Sequence, residues 1–147
     1  MTAWALGRRS SSIVAAKKGI RCTVITPERR VLDETADAVV IPAHDGELGI
    51  LVNRAALMCE LGVGQFRYQK GGQTRRMFID GGFAQVHDND VTVLTGSAVP
   101  AADITPETLA EAERAVEEFR GHDPETLEAR RHAQRRLSVL RALQGAS

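Results

Sequence analysis

Three clusters in this sequence hold side chains capable of chemistry. His44, Asp45 and Glu47 put an imidazole beside two carboxylates, the residue types of a metal site or an acid–base pair. No second histidine cluster completes a site, and His44-Asp45-Gly46 reads as a solvated turn. His87-Asp88-Asn89-Asp90 offers oxygen ligands but lacks the length and closing glutamate of a calcium loop, and reads as a hairpin turn. The third cluster is basic: Arg130, Arg131, Arg135 and Arg136, whose default reading is a solvated helix face. The paired glycines Gly71-Gly72 and Gly81-Gly82 lie against strand-like runs with no helix following. They suit turns and close backbone approach rather than phosphate binding. A hydrolase using His44 or His87 would need a nucleophile, and no Gly-x-Ser-x-Gly motif supplies one.

Composition narrows the function classes further. With 147 residues the chain holds one domain of ordinary size, or a smaller one with an appendage. Zero formal net charge gives the whole molecule no bias toward nucleic acid or anionic lipid, and 4% aromatics argues against a base-stacking surface. Cys22 and Cys59 stand in apolar stretches without CxxC spacing, so reduced core thiols are expected rather than a disulfide or zinc site. No apolar run approaches the roughly 18 residues needed to cross a bilayer, so work at a membrane would proceed through a partner. Residues 1–19 carry Arg8, Arg9, Lys17 and Lys18 with no acid. That is the composition of an organellar transit peptide and equally of a disordered bacterial extension; disorder is the expectation.

The elements that must position these groups change character at Pro100. Residues 20–100 read as all-β: Ile20, Cys22 and Val24 alternate with Arg21 and Thr23, and Ala38-Val39-Val40-Ile41 is closed by Pro42. Turn-forming clusters recur at His44-Asp45-Gly46, Gly62-Val63-Gly64, Lys70-Gly71-Gly72, Asp80-Gly81-Gly82 and Asp88-Asn89-Asp90. Short strands at this spacing predict an antiparallel β-sandwich or barrel, with Phe66/Tyr68 and Met77/Ile79 as inward pairs. Residues 101–147 then predict an antiparallel α-helical hairpin. Thr105-Pro106-Glu107 and Asp123-Pro124-Glu125 are start signals, and Gly121 stops the first helix. Leu109, Ala112, Val116 and Phe119 form one stripe; Ala133, Leu137, Leu140 and Leu143 form the other. The first helix is acidic and the second basic, so the hairpin should close by charge over a thin seam and open readily, as a switch.

Val40-Ile41-Pro42-Ala43-His44-Asp45-Gly46-Glu47-Leu48-Gly49-Ile50-Leu51 closely resembles a segment shared by the epsilon chains of F-type ATP synthases and their mitochondrial delta homologue. Four further segments agree in order and spacing: Val24-Ile25-Thr26-Pro27-Glu28, Leu61-Gly62-Val63-Gly64, Gly81-Gly82-Phe83-Ala84-Gln85-Val86 and Asn89-Asp90-Val91-Thr92-Val93-Leu94. The likeness spans about residues 20–143. It implies a β-sandwich followed by a helical hairpin. The sandwich would bind the gamma subunit and the c-ring, and the hairpin would act as a mobile regulator able to restrain hydrolysis by the alpha/beta head. Catalytic groups would lie on other subunits, with neither a metal nor a resident cofactor here. Membrane association would come through the complex, at the cytoplasmic face of a bacterial plasma membrane or, as the other option, an organellar inner membrane.

Carried over by residue, the resemblance puts Glu47 opposite the ring's polar loops. It puts Arg54 where the family carries a histidine, because Val52-Asn53-Arg54-Ala55-Ala56 replaces the usual proline-glycine-histidine-alanine-proline turn. Arg130, Arg131, Arg135 and Arg136 become candidates for an acidic loop on the catalytic head. Some members bind regulatory ATP on the hairpin. Here Ala110-Glu111-Ala112-Glu113-Arg114-Ala115 keeps the arginine and alanine of that motif but not its aliphatic residue or aspartate. On the second helix Arg136 is kept and His132 replaces an arginine, so Glu111, Arg114, His132 and Arg136 make a weakened nucleotide site. A free-standing β-sandwich adaptor or ligand-binding module is the alternative; such a protein would act alone and co-purify with no rotor subunit.

Overall fold

The computed structural model describes residues 19–145; the basic N-terminal extension lies, but for Gly19, outside them. Eight strands come first: β1 (Ile20–Ile25), β2 (Arg30–Ala36), β3 (Ala38–Ala43), β4 (Gly46–Ile50), β5 (Leu57–Lys70), β6 (Gln73–His87), β7 (Asp90–Leu94) and β8 (Ala98–Pro100). A 3₁₀ turn (Ala101–Asp103) leads to α1 (Pro106–Glu118) and α2 (Pro124–Leu143). The strands are linked in the order β2-β1-β7-β6-β5-β3-β4, with β8 also on β6. The pairing is antiparallel except between β1 and β7, which run parallel.

β5 and β6 belong to both layers of the sandwich. On β6, Met77, Phe78 and Ile79 pair with β8, whereas residues 83–87 pair with β7. Gly62-Val63-Gly64 and Asp80-Gly81-Gly82, expected to be turns, therefore lie inside these two long strands. The glycines bend the strand instead of reversing it. Gly81 and Gly82 hold φ of 71° and 103°, and a Cβ on Gly82 would collide with the Leu94 carbonyl and stand 2.8 Å from the Thr95 Cα. The chain does reverse at His44-Asp45, at Gly71-Gly72 and at Asp88-Asn89, where the last two pairs take the left-handed φ of a tight hairpin. Pro42 does not close β3; the strand continues to Ala43 while its register on β5 shifts between Val40 and Ala43. That irregularity is where a residue without an N–H is tolerated.

The core follows from strand alternation. Ile20, Cys22 and Val24 of β1 and Val91 and Val93 of β7 meet Val39, Ile41, Phe66, Tyr68, Met77 and Ile79 from the other layer. Both expected inward pairs are in this cluster. Phe78, between Met77 and Ile79, is equally buried but faces away from that core. It forms a second cluster with Ala101, Ile104, Leu140 and Leu143, so α2 covers the outer face of β6. Full burial of an aromatic or aliphatic side chain of this size stabilises by about 2 kcal/mol.

Each helix begins as its sequence directs. Thr105 caps α1 in a reciprocal box with Thr108, and Asp123 accepts from the Thr126 amide (3.1 Å) and hydroxyl (2.7 Å). α1 ends at Glu118, before Gly121: Phe119 is already extended, and the Phe119 and Gly121 carbonyls accept from Arg130 (2.6 and 3.1 Å). Charge does not close the hairpin as the sequence predicts. Glu113 and Arg141 form an ion pair across it at 3.8 Å, with both side chains more than half exposed, and such a pair contributes at most about 1 kcal/mol. α2 instead packs on the sandwich with Ala133, Leu140 and Leu143 buried, whereas α1 has no buried residue.

Candidate functional site

The β3–β4 hairpin presents the segment containing His44, Asp45 and Glu47. Val39 pairs with Ile50 and Ala43 with Gly46, which turns His44, Asp45 and Glu47 outward. The His44 amide donates to the Glu60 carbonyl (2.8 Å), fixing the turn to β5. Glu47 accepts both guanidinium nitrogens of Arg67 (2.6 and 3.2 Å). That fork holds the Glu47 carboxyl below the usual carboxylate range, against a smaller opposing effect of desolvation. Glu47 is thus a charged, half-exposed group whose geometry is set within the chain.

Arg54 lies in the turn after β4, with its amide donating to the Leu51 carbonyl (3.2 Å). The preceding residue, Asn53, has φ 69°, and its amide donates to the buried Asn89 side chain (2.5 Å), which returns a bond to the Asn53 side chain (3.3 Å). This amide clasp ties the turn at 52–56 to the β6–β7 turn, beside an open cleft of about 250 Å³ that Arg54 and His87 line. The clasp joins residues 36 positions apart, with asparagine at both left-handed positions, and had no local signal in the sequence. No hydrogen bond or ion pair links Glu47 to Arg54 among the described residues.

The four clustered arginines of α2, Arg130, Arg131, Arg135 and Arg136, divide into two pairs. Arg130 is bound to the inter-helix turn, and Arg136 forms an ion pair with Asp80 while its guanidinium carbon lies 5.1 Å from the Phe78 ring centroid. Arg131 and Arg135, four residues apart, share the exposed face, and Arg131 makes a 3.4 Å pair with Glu128. The nucleotide candidates are divided too. Glu111 and Arg114 are exposed on α1, whereas His132 and Arg136 both engage Asp80 on β6. A groove of about 290 Å³ between the helices is lined by four alanines with Phe119, His132 and Arg136, whereas Glu111 and Arg114 do not line it. Asp80 carried no signal of its own, sitting inside what reads as a glycine turn.

No group of three or more His, Cys, Asp and Glu side chains able to hold a metal occurs among the described residues. Burial pushes the Cys22 thiol up to about 12 and raises that of Cys59, so neither is a thiolate nucleophile near neutral pH. No helix among the described residues is long and apolar enough to cross a membrane.

The described chain is a two-layer β-sandwich carrying a C-terminal helical hairpin. Residues 19–101 match the family model for the ATP synthase, Delta/Epsilon chain, beta-sandwich domain, and the chain belongs to that family. It is 50% identical over 97 residues to the ATP synthase epsilon chain of Rhodopirellula baltica, covering 63% of this chain and 76% of that one. With the epsilon chain of Nitratidesulfovibrio vulgaris (strain DP4) it shares 34% identity over 127 residues, 86% of this chain and 92% of the other. Among solved structures it resembles a chain of the Euglena gracilis mitochondrial ATP synthase, OSCP/F1/c-ring, with TM-score 0.72 and 28% identity over 85% of this chain and 81% of that one. A chain of the Tetrahymena thermophila mitochondrial ATP synthase central stalk/c-ring shares the fold, with TM-score 0.58 and 18% identity over 86% and 95%.

Proposed function

We propose that this chain is the epsilon subunit of an F-type ATP synthase: a non-catalytic central-stalk component that couples c-ring rotation to ATP synthesis. The observation that carries the reading is the match of sandwich and hairpin together to a chain solved within an F1/c-ring assembly, on a sequence whose sandwich matches the family model. Gamma and the c-ring are the partners of the sandwich, and Glu47 and Arg54 are its ring-facing contacts. The complex holds the chain at the membrane, on the cytoplasmic face in a bacterium. Neither a resident cofactor nor a metal is part of the proposal.

The hairpin is the regulatory part, a brake on ATP hydrolysis. The exposure of Arg131 and Arg135 on α2 supports their meeting an acidic surface of the alpha/beta head, while Arg130 and Arg136 serve contacts inside the folded chain. Regulatory ATP is left out, because two of its four candidate ligands already hold a carboxylate.

The deciding experiment is a pull-down of the tagged full-length chain from gently solubilised membranes, with mass spectrometry of its companions. Gamma, c, alpha and beta subunits are expected. Recovery of the well-folded chain alone would overturn the stalk assignment in favour of an independent adaptor. Truncation after Pro100 should leave coupling largely intact and raise hydrolysis; unchanged hydrolysis would remove the brake and leave the stalk role.

A further inference from the structure

The second helix of the hairpin is fastened to the sandwich at one carboxylate. Asp80 stands in β6 just before the Gly81-Gly82 bend, with its side chain only 17% exposed. One carboxylate oxygen forms the ion pair with Arg136; the other accepts from Nε2 of His132 (2.9 Å). These two residues are one helical turn apart, so a single carboxylate can receive both. Its backbone is pinned as well. The Asp80 amide donates to the Ser97 carbonyl (3.1 Å), and its carbonyl accepts from the Thr95 hydroxyl (3.2 Å). The acceptor is therefore a fixed post on the sheet, and the donors belong to the part that must move.

The apolar contact beside it has a different character. Phe78, Ala101, Ile104, Leu140 and Leu143 exclude water from the interface, but burial of this kind is non-directional and does not by itself select a helix register. Arg136 bridges both, since its guanidinium faces the Phe78 ring as well as Asp80. α1 has no buried residue of its own, so its position follows that of α2. Lifting α2 takes both partners from Asp80 and exposes the carboxylate to water, so both contacts must break as the helix leaves.

We propose that Asp80 is the latch of the hairpin: its contact with Arg136 and His132 sets how much of the population keeps α2 docked on β6, and must break before the hairpin can leave the sandwich. The latch rests on the brake reading only for its effect on hydrolysis; as a structural device it is measured separately.

The test is hydrogen exchange on the full-length chain, comparing Arg136→Gln, Asp80→Asn and the double variant with the parent. Each single variant should speed exchange of the α2 and α1 amides by about tenfold, while β1 and β7 amides stay unchanged. The double variant should be slower than the product of the two single effects, because both changes remove the same Asp80–Arg136 pair. Unchanged helix exchange in Arg136→Gln, or effects that simply multiply in the double variant, would overturn the latch. Should Asp80→Asn disturb the strands, Arg136→Gln decides alone, since that side chain lies outside the sheet. Hydrolysis by the assembled complex is then read on the same variants. Faster helix exchange with unaltered hydrolysis leaves the latch standing and removes the brake.

Discussion

Glu47 on β4 and Arg67 on β5 join through a two-nitrogen fork that crosses the intervening strand β3. The hydrogen bonds from Arg67, reinforced by its charge, hold Glu47 below the usual carboxylate range. A group whose folded pKa is depressed adds stability above its unfolded value, and that stability is lost as pH falls through the folded value. Glu47→Gln should therefore lower the thermal midpoint near neutral pH, by the equivalent of about 0.5 kcal/mol for a pair this exposed. The difference from the parent should vanish as the medium is acidified below 4.5, the ordinary glutamate value, and through the lowered folded value. Paired thermal melts across that range check it; a difference independent of pH would assign the effect to packing instead.

Gly82 tests whether the bend in β6 is obligatory. Its φ of 103° and its contact with the Leu94 and Thr95 backbone leave no room for a Cβ, whereas a Cβ on Gly81, with φ 71°, would meet only the Leu61 carbonyl at an ordinary 4.0 Å. Gly81→Ala should cost about 1 kcal/mol for the left-handed backbone alone. Gly82→Ala should cost about 3 kcal/mol or more, since strain and collision add. Urea denaturation of both variants measures the contrast.

The same bend marks where the sequence was legible and where it was not. Periodicity placed Met77 and Ile79 inside, and they are, because alternation is local information. It could not place Phe78, whose burial depends on α2 returning over β6 from sixty residues away. Thr105 and Asp123 were readable as caps because their partners are three residues on. Gly62-Val63-Gly64 and Asp80-Gly81-Gly82 misled for a physical reason: a glycine that relieves crowding inside a strand has the composition of one that turns the chain. Of the contact points, Glu47 stood out through its motif, yet Arg67, Asp80 and Asn89, the residues that orient Glu47, Arg136 and the turn at 52–56, had no local signature.

Docking of the hairpin by apolar burial is tested at two leucines of α2. Leu140 is buried against Phe78, while Leu137 lines the open outer groove with Val116. Leu140→Ala should cost about 3 kcal/mol and Leu137→Ala less than about 1 kcal/mol. Denaturant unfolding followed by helix circular dichroism separates the two; equal losses would mean that α2 is not held on the sandwich by this face.

Under the brake reading, Arg131 and Arg135 are the outward pair. Charge reversal to Arg131→Glu with Arg135→Glu should raise hydrolysis by the assembled complex severalfold and weaken the salt dependence of inhibition. Neither side chain takes part in the contact with Asp80, so exchange of the α2 amides at rest should change little. Inhibition that survives the double reversal would assign the brake to another face.

The last prediction separates strain from hydrogen bonding at the turn beside Arg54. Asn89 is buried, holds φ 62°, and its side-chain oxygen receives the Asn53 amide at 2.5 Å. Glycine at 89 keeps the left-handed backbone and loses both bonds of the clasp; alanine also strains the backbone. Asn89→Gly should cost about 1–2 kcal/mol, the net worth of two partly buried hydrogen bonds. Asn89→Ala should cost about 1 kcal/mol more, from the disfavoured backbone. In both, amide exchange at Asn53 should quicken before that of β5, because the turn loses its tether while the strands keep their ladders. If Arg54 meets the ring, Asn89→Gly should weaken attachment of the chain to the c-ring even though position 89 is not itself a contact. Attachment unchanged with a demonstrably loosened turn would remove Arg54 from the ring-facing set and leave Glu47 there.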